Sequence, residues 1–417
     1  MTHGLGRRAL LVSNNNNHTI IEADRIVDAK SERGPHRITI NKGRIVDIEP
    51  LTVTARTDSK DRRTLVPGFI DIHVHGGNGR YVMEDGQDAI PVIAHHLARH
   101  GVTSFLPTTI TAPWDEIEDT IRRVFSLRSK PPMGAHILGV HLEGPCINVK
   151  MKGAQPPQFI APPDAEVMRR RIEPYEDTVR VVTLAPEVDG AMALIQYLQS
   201  RNVVVSLGHT DATYDQVSAA IDHGARHCTH CYNQMRPLHH REPGTVGAVL
   251  NRSELRAELI WDNIHVHPAA AQILLHAKSR YGVLLISDGT PGSGMPAGYE
   301  FNFGDLPIRV HQQGGKLPDG SAAKATHIGC FLPDGTLAGS AITVADAFVN
   351  AIECGISWQD ASAASSYNAA CALGLENSKG LIAVGHDADL VMLNENGGVE
   401  SVWVDGDHIE NGQKPVI

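Results

Sequence analysis

Residues 67–77 read Pro67-Gly68-Phe69-Ile70-Asp71-Ile72-His73-Val74-His75-Gly76-Gly77. Phe69, Ile70, Ile72 and Val74 make an apolar run long enough for one buried strand. His73 and His75 alternate with Ile72 and Val74. Residues two apart on a strand share a face, so both imidazoles project the same way. Glycines follow at once, which places the pair where a strand ends and a loop opens. Two histidines on one face at the mouth of a buried strand suit a metal-dependent barrel hydrolase. A strand end with two solvated histidines would read the same way, so the rest of the chain decides.

Downstream of this stretch, from about residue 67 to 378, short apolar runs alternate with helical patterns. The strands expected are Phe69–His75, Thr103–Pro107, Ile137–Leu142, Val179–Leu184, Val203–Leu207, His227–Cys231, Ala257–Trp261 and Val283–Ser287. Helices are expected at Ala89–His100, Trp114–Leu127, Gly190–Arg201, Tyr214–His223 and Ala269–Arg280, with two more, Thr343–Cys354 and Trp358–Leu373, after the last strand. Eight strands with intervening helices fit a (β/α)8 TIM barrel better than an open sheet. No GxGxxG or Walker loop opens any of these helices, which argues against dinucleotide and nucleotide folds.

The two ends read differently. His18–Asp28 and Arg37–Glu49 carry branched residues at strand spacing, with a turn at Asn41-Lys42-Gly43, and Leu381–Ala383, Asp389–Leu393 and Val399–Val404 alternate in the same way. The expected organisation is a small β-sandwich domain built from both termini, residues 1–66 and 379–417, flanking a catalytic barrel over 67–378. Asn14–Asn17 reads as a polar loop.

The chain has 417 residues, of which 42% are hydrophobic and 20% charged, a globular balance that argues against disorder. A net charge of −10 argues against a nucleic-acid or anionic-membrane surface. Six cysteines without framework spacing point to a reducing, cytoplasmic setting, and the Cys228–Cys231 pair lacks a second metal-binding pair. No stretch approaches the roughly 18 continuous apolar residues of a membrane span. With 23 histidines in the chain, each must be argued by position. His95, His96 and His100 read as a solvated helix face.

Catalytic groups of a parallel barrel gather at the carboxyl ends of its strands. The first expected strand ends in His73 and His75, and the third in His141-Leu142-Glu143. The fifth ends in Gly208-His209-Thr210, the sixth places His230 beside a polar loop, and the eighth ends in Ser287-Asp288. Five of eight strand ends thus offer His, Glu or Asp, a concentration that chance does not readily produce. A glutamate with two histidines suits zinc with an open position for water, and such a set also accepts iron(II). The metal would acidify the water and polarise a carbonyl, with Asp288 as base and later acid.

At this point the chain resembles the N-acetylglucosamine-6-phosphate deacetylases of the amidohydrolase superfamily. The resemblance rests on Pro67–Asp71, Gly101–Thr108, His141-Leu142-Glu143-Gly144-Pro145, Leu184–Glu187, Gly208–Thr210, Thr229–Asn233, Pro237-Leu238-His239-His240-Arg241-Glu242-Pro243-Gly244 and Leu337–Ser340, in family order. It implies that Glu143, His209 and His230 bind the principal metal and that Asp288 is the acid/base. It also implies substrate contacts from Ala154, Gln155, Asn233, Gln234, Arg241, His265, Phe331 and Leu332. Arg241 would reach the neighbouring subunit's site in a homodimer, and its planar fork suits a phosphate. Members with the first-strand histidine pair can hold a second metal, and the resemblance implies that His73 and His75 would be its ligands here. The expected reaction is hydrolysis of N-acetylglucosamine 6-phosphate to glucosamine 6-phosphate and acetate.

Three departures bear on the substrate. The family usually has a histidine where this chain reads Lys152-Gly153-Ala154-Gln155, and Gln155 donates a hydrogen bond but carries no charge. Gln234 stands where a small residue is common, and Gly289-Thr290-Pro291 replaces an alanine-rich run. A deacetylase of N-acetylgalactosamine 6-phosphate or a non-catalytic sugar-phosphate-binding relative are the alternatives. A dihydroorotase or hydantoinase would need a fourth-strand lysine, and Thr183-Leu184-Ala185-Pro186-Glu187 has none.

Overall fold

Short buried runs separated by amphipathic helices have one compact solution, a parallel sheet that closes on itself inside a ring of helices. That is what the computed structural model contains; it describes residues 13–15, 18–52, 62–86, 88–303, 306–312 and 328–410. The eight barrel strands are Phe69–Val74, Val102–Thr109, a third in two pieces (His136–Ile137 and Val140–Glu143), Val179–Leu184, Val204–Leu207, His227–Cys228, Arg256–Ile260 and Val283–Ile286. Each pairs in parallel with the next. The ring closes where the Asp288 amide donates to the His73 carbonyl at 2.9 Å and Val74 bridges Gly289. All six residues of Phe69–Val74 are buried. Ile70, Leu106, Val181, Ile260, Leu284 and Ile286 form one apolar cluster spanning five strands, with Ala370 and Leu373 packed onto it.

The expected helices are present with ends shifted by one or two residues, except the last. Trp358–Leu373 is broken into an α-turn at Trp358–Ser362, a wider π-turn at Ala363–Tyr367 and a second α-turn at Asn368–Ala372. The insertion places a buried hydroxyl where the barrel needs one: Ser366 Oγ donates to the Gly68 carbonyl at 2.6 Å, beside the start of the first strand. The sixth strand is also shorter than expected, stopping at Cys228. His230 has a left-handed backbone (φ 30°), which cannot continue an extended chain.

One sheet escaped the sequence reading. Glu300–Phe303, Leu306–Gln312, Ile328–Phe331 and Leu337–Ser340 form four antiparallel strands between the eighth barrel strand and the next helix. Phe303, Ile308, Val310 and Cys330 bury its apolar face. The sheet docks on the barrel through Ser340, whose amide donates to the Asp288 carbonyl at 2.8 Å. Gly339 (φ 64°) is required there, since a Cβ would press on Asp288 and Thr290.

Described segments from both halves of the chain, within 13–67 and 390–408, meet in a small β domain. Ser13–Asn15, His18–Ala23, His36–Asn41 and Arg44–Pro50 form one sheet. The other joins Arg25–Val27, Glu32–Arg33 and Thr64–Pro67 to Leu390–Leu393, Val399–Val404 and Asp407–His408. Ile21, Ile38 and Ile45 from the first sheet pack against Leu65, Leu390 and Trp403 from the second. The expected turn holds, with Lys42 and Gly43 at positive φ. Two expectations change here. Of the loop expected at Asn14–Asn17, Asn14 and Asn15 are strand residues paired with Thr19 and His18 while Asn16 and Asn17 lie outside the described residues, and Leu381–Ala383 forms no strand. No helix among the described residues is long and apolar enough to cross a membrane.

His136, at the start of the third barrel strand, ties that strand to this domain. Its Nε2 lies 3.3 Å from Asp405 and 3.6 Å from Asp389. Burial alone would lower the imidazole, but the two carboxylates outweigh it and hold the pKa at about 9. A folded pKa raised above the unfolded value near 6.5 adds stability in full below 6.5, and that stability is lost as pH rises through 9. The stability difference between the wild type and His136→Asn in urea is therefore expected to be largest near pH 6 and to shrink towards pH 9. A difference that does not change with pH would contradict the assignment.

Candidate metal centre

Three of the five strand ends that carry candidate groups break sharply. His209 (φ 47°), His230 (φ 30°) and Asp288 (φ 49°) follow their strands on left-handed backbone, a conformation costing roughly 1–3 kcal/mol per non-glycine residue. Each turn directs its side chain back over the barrel mouth. The six ligand and acid/base candidates meet there in one buried cluster.

Glu143 is its hub. Its Oε1 lies 3.0 Å from His209 Nε2 and 3.0 Å from His230 Nε2, whose two nitrogens are 3.2 Å apart. The same carboxylate faces the first strand, with Oε2 at 3.4 Å from His75 Nε2 and Oε1 at 3.5 Å from His73 Nε2. Asp288 Oδ1 completes that side at 3.2 Å from His75 and 3.5 Å from His73. The His73 and His75 Nε2 atoms are themselves 3.2 Å apart.

The far ring nitrogens fix the tautomers. His75 Nδ1 meets the Thr108 carbonyl at 3.1 Å and His209 Nδ1 meets the Met151 carbonyl at 2.8 Å. His73 Nδ1 meets Glu258 Oε2 at 3.0 Å. Carbonyls and carboxylates only accept, so each Nδ1 carries the proton and each Nε2 presents a lone pair. Those lone pairs converge with carboxylate oxygens that also only accept. The cluster thus calls for positive charge, either protons or a cation. Burial lowers His73 and His75, yet the neighbouring carboxylates overcome it and raise both, His73 well above its ordinary value. Burial raises Glu143 and Asp288, and the facing imidazoles overcome it and hold both low. A nitrogen–oxygen donor set arranged in this way fits divalent metal ions. The buried donors form three groups, Glu143–His209–His230, His73–His75–Asp288 and, sharing His73 with the second, His73–His141–Glu258.

His141 stands apart although it shares the cluster. Its Nδ1 donates to the Ile72 carbonyl at 2.9 Å and its Nε2 accepts from Thr183 Oγ1 at 2.8 Å, so neither nitrogen is available as a ligand.

The residues expected around a substrate are more dispersed. Gln155 is buried, donates to Glu143 Oε2 at 2.6 Å and accepts from the Thr111 amide at 2.7 Å. Asn233 is half-buried and donates to the His230 carbonyl at 3.3 Å, while the exposed Gln234 side chain lies over Gly153. The His265 ring is held by Asp262 at 2.6 Å. Ala154 and Leu332 pack with the apolar face of the antiparallel sheet, and Phe331 lies half-buried at the end of its third strand. Arg241 is exposed on a tight turn bridged by His239 and Glu242; its guanidinium donates to His240 Nε2 at 2.8 Å and its amide to His239 Nδ1 at 3.3 Å. A cleft of about 930 Å³ opens beside Thr111, Tyr81, Pro156 and Phe301, and it is lined by none of Asn233, Arg241 or His265.

A profile of the amidohydrolase family matches residues 64–409. The N-acetylgalactosamine-6-phosphate deacetylase of Escherichia coli O157:H7 is 37% identical over 389 residues, covering 93% of this chain and 98% of that protein. The N-acetylglucosamine-6-phosphate deacetylase of Bacillus subtilis (strain 168) is 37% identical, covering 86% and 89%. The chain belongs to the N-acetylglucosamine-6-phosphate deacetylase family of the amidohydrolases. Solved structures from this family share the fold throughout. The Thermotoga maritima N-acetylglucosamine-6-phosphate deacetylase superposes with a TM-score of 0.82 at 30% identity, covering 94% of this chain and all of that one. A mutant deacetylase from Mycobacterium smegmatis in complex with N-acetyl-D-glucosamine-6-phosphate superposes equally well, at 32% identity over 95% of this chain and all of that one.

Two residues of this deacetylase-family site were missed in the sequence. Glu187, at the end of the fourth strand, accepts from Asn148 at 2.8 Å, the Asp211 amide at 2.6 Å and Thr210 Oγ1 at 2.5 Å, bracing the loop that carries His209. Glu258, in the seventh strand, is fully buried against His73. An acidic residue inside the apolar run Ala257–Trp261 was the available signal, because a buried charge is rarely found without a partner. The solvated helix face expected at His95 and His96 is also corrected. Both are buried, and His96 sits against Gly77 and Gly294, where burial holds its pKa near 3.

Proposed function

We propose that this chain hydrolyses the N-acetyl group of N-acetylglucosamine 6-phosphate, giving glucosamine 6-phosphate and acetate. The observation that carries the reading is the convergence of Glu143, His209 and His230 beside Asp288, in a chain 37% identical to curated amino-sugar-phosphate deacetylases. A divalent metal, zinc before iron(II), belongs on Glu143, His209 and His230, with a second on His73 and His75; once bound it supplies a polarised acetamide carbonyl and an acidified water.

The protein's own groups do the rest. Asp288, ionised at neutral pH, takes the proton from the attacking water and returns it to the departing amine. Gln155 has one amide hydrogen on Glu143 and a second left for the acetamide oxygen. His265, kept upright by Asp262, and Asn233 meet the sugar hydroxyls and phosphate, with Ala154, Gln234, Phe331 and Leu332 along its edge. Arg241 serves the phosphate of the neighbouring subunit in a homodimer, a role supported by its exposed turn. The setting is cytoplasmic.

Arg241→Ala should raise KM for the phosphorylated sugar by roughly 10-fold or more, a charge-assisted paired contact contributing about 1.5–3 kcal/mol, and leave the unphosphorylated sugar unaffected. An equal effect on both sugars would remove the phosphate role.

The epimer is a second reading with its own support, since the relative from E. coli O157:H7 is named for N-acetylgalactosamine 6-phosphate. Measuring kcat/KM for acetate release from both phosphorylated epimers separates the two. A preference for the glucosamine epimer supports the proposal, and a preference for the galactosamine epimer replaces its substrate while keeping its chemistry.

A further inference from the structure

Glu258 is the one carboxylate in the cluster that no sequence motif assigned. It lies inside the seventh barrel strand with no exposed surface. Its Oε2 accepts from His73 Nδ1 at 3.0 Å and from the His230 amide at 3.3 Å, and no hydrogen-bond partner among the described residues reaches its buried Oε1. A carboxylate buried this deeply is costly to the fold, and a strand of this barrel could have carried an apolar residue instead.

The four imidazoles at the barrel mouth differ in what holds their far nitrogen. His75 and His209 each donate to a backbone carbonyl, and His230 Nδ1 has no hydrogen-bond partner among the described residues. His73 alone donates to a carboxylate. A carboxylate behind an imidazole fixes the tautomer and makes the opposite nitrogen a stronger donor. The His73 nitrogen so strengthened is the one facing His75 and Asp288. His141 stacks edge-on against the same ring at 4.7 Å with both its nitrogens engaged elsewhere, so it cannot take over this task.

We propose that Glu258 is a positioning residue for a second metal ion: by holding the His73 proton on Nδ1 it keeps His73 Nε2 available as a ligand, and it sets whether the chain binds one ion or two. This rests on the reading, given above, that His73 and His75 hold a second ion. Glu258 stands behind His73, with its Oε2 on the far nitrogen of that ring. It acts through His73, and its loss leaves the Glu143–His209–His230 group able to bind.

Equilibrium dialysis of the full chain against graded zinc, followed by metal counting, tests it. The wild type should take up two ions in two steps. Glu258→Gln, which preserves shape and removes the charge, should keep the first step and weaken the second by roughly 10- to 100-fold. Glu258→Asp, which keeps the charge and withdraws it from Nδ1, should weaken the same step, so either variant suffices if the other fails to fold. Adding Glu258→Gln to His73→Gln should weaken metal binding no further, as expected of two residues acting as a unit. A wild-type count of one ion at saturating zinc overturns the two-ion reading and this proposal with it. A wild-type count of two, with the second step unchanged in the folded Glu258 variants, overturns this proposal alone.

Discussion

Glu143→Gln is expected to release bound metal and to lower acetate production by roughly 10³-fold or more, several kcal/mol of transition-state stabilisation at about 1.4 kcal/mol per tenfold. The reason is positional. Glu143 is the sole carboxylate of the Glu143–His209–His230 group, and its second oxygen also faces His75. Glutamine at this position would supply one neutral oxygen and turn an NH2 donor towards the other face, where an imidazole lone pair needs a cation. Both candidate ion positions are therefore weakened by one substitution. Metal counting and acetate release on the same preparation check it, and a variant that keeps its metal and most of its activity would remove Glu143 from the centre of the account.

Asp288→Asn should behave differently. Asp288 is absent from the Glu143–His209–His230 group, so the ion there should stay, while kcat falls by roughly 10²–10⁴-fold, the usual contribution of a general acid/base. The backbone that presents this side chain does not depend on its charge. Its amide donates to the His73 carbonyl, its carbonyl accepts from Ser340, and Gly339 leaves room beside it. The asparagine amide therefore takes the same place but cannot accept a proton. Burial would raise the Asp288 carboxyl, but His75 and His73 outweigh it and hold it below the usual carboxylate range, so the group starts each cycle ionised. Activity retained within tenfold, or metal lost from both groups, would contradict the role.

The barrel and the cluster of candidate ligands at its mouth were legible in the sequence because two simple periodicities coincide there. Alternation along buried strands showed which residues share a face, and the rule that chemistry gathers at strand ends singled out His73, His75, Glu143, His209 and Asp288. His230 was found by the same rule even though its strand is two residues long, since the left-handed turn that ends the strand also aims the ring. Glu258 was not found because it lies within a strand and reaches the site through the ring of His73. His96 misled for the opposite reason. Its helix face reads as polar, but the face is covered by the loops at Gly77 and Gly294, a tertiary contact that helical periodicity does not reveal. The antiparallel sheet over 300–340 alternates correctly at Phe301–Phe303 and Ile308–Val310, yet its strands lie where a barrel pattern leads one to look for helices. Gln155 was read as facing substrate alone; only the folded loop shows that its amide is also bound to Glu143.

The central claim, a metal-dependent deacetylase of an amino-sugar phosphate, is tested most directly by acetate release from N-acetylglucosamine 6-phosphate before chelation, after chelation and after metal is restored. The account predicts acetate and free amine in equal amounts from the loaded chain, loss of both on chelation, and recovery with zinc or iron(II). Undiminished acetate release from metal-free protein, or none from fully loaded protein with either phosphorylated epimer, would contradict it.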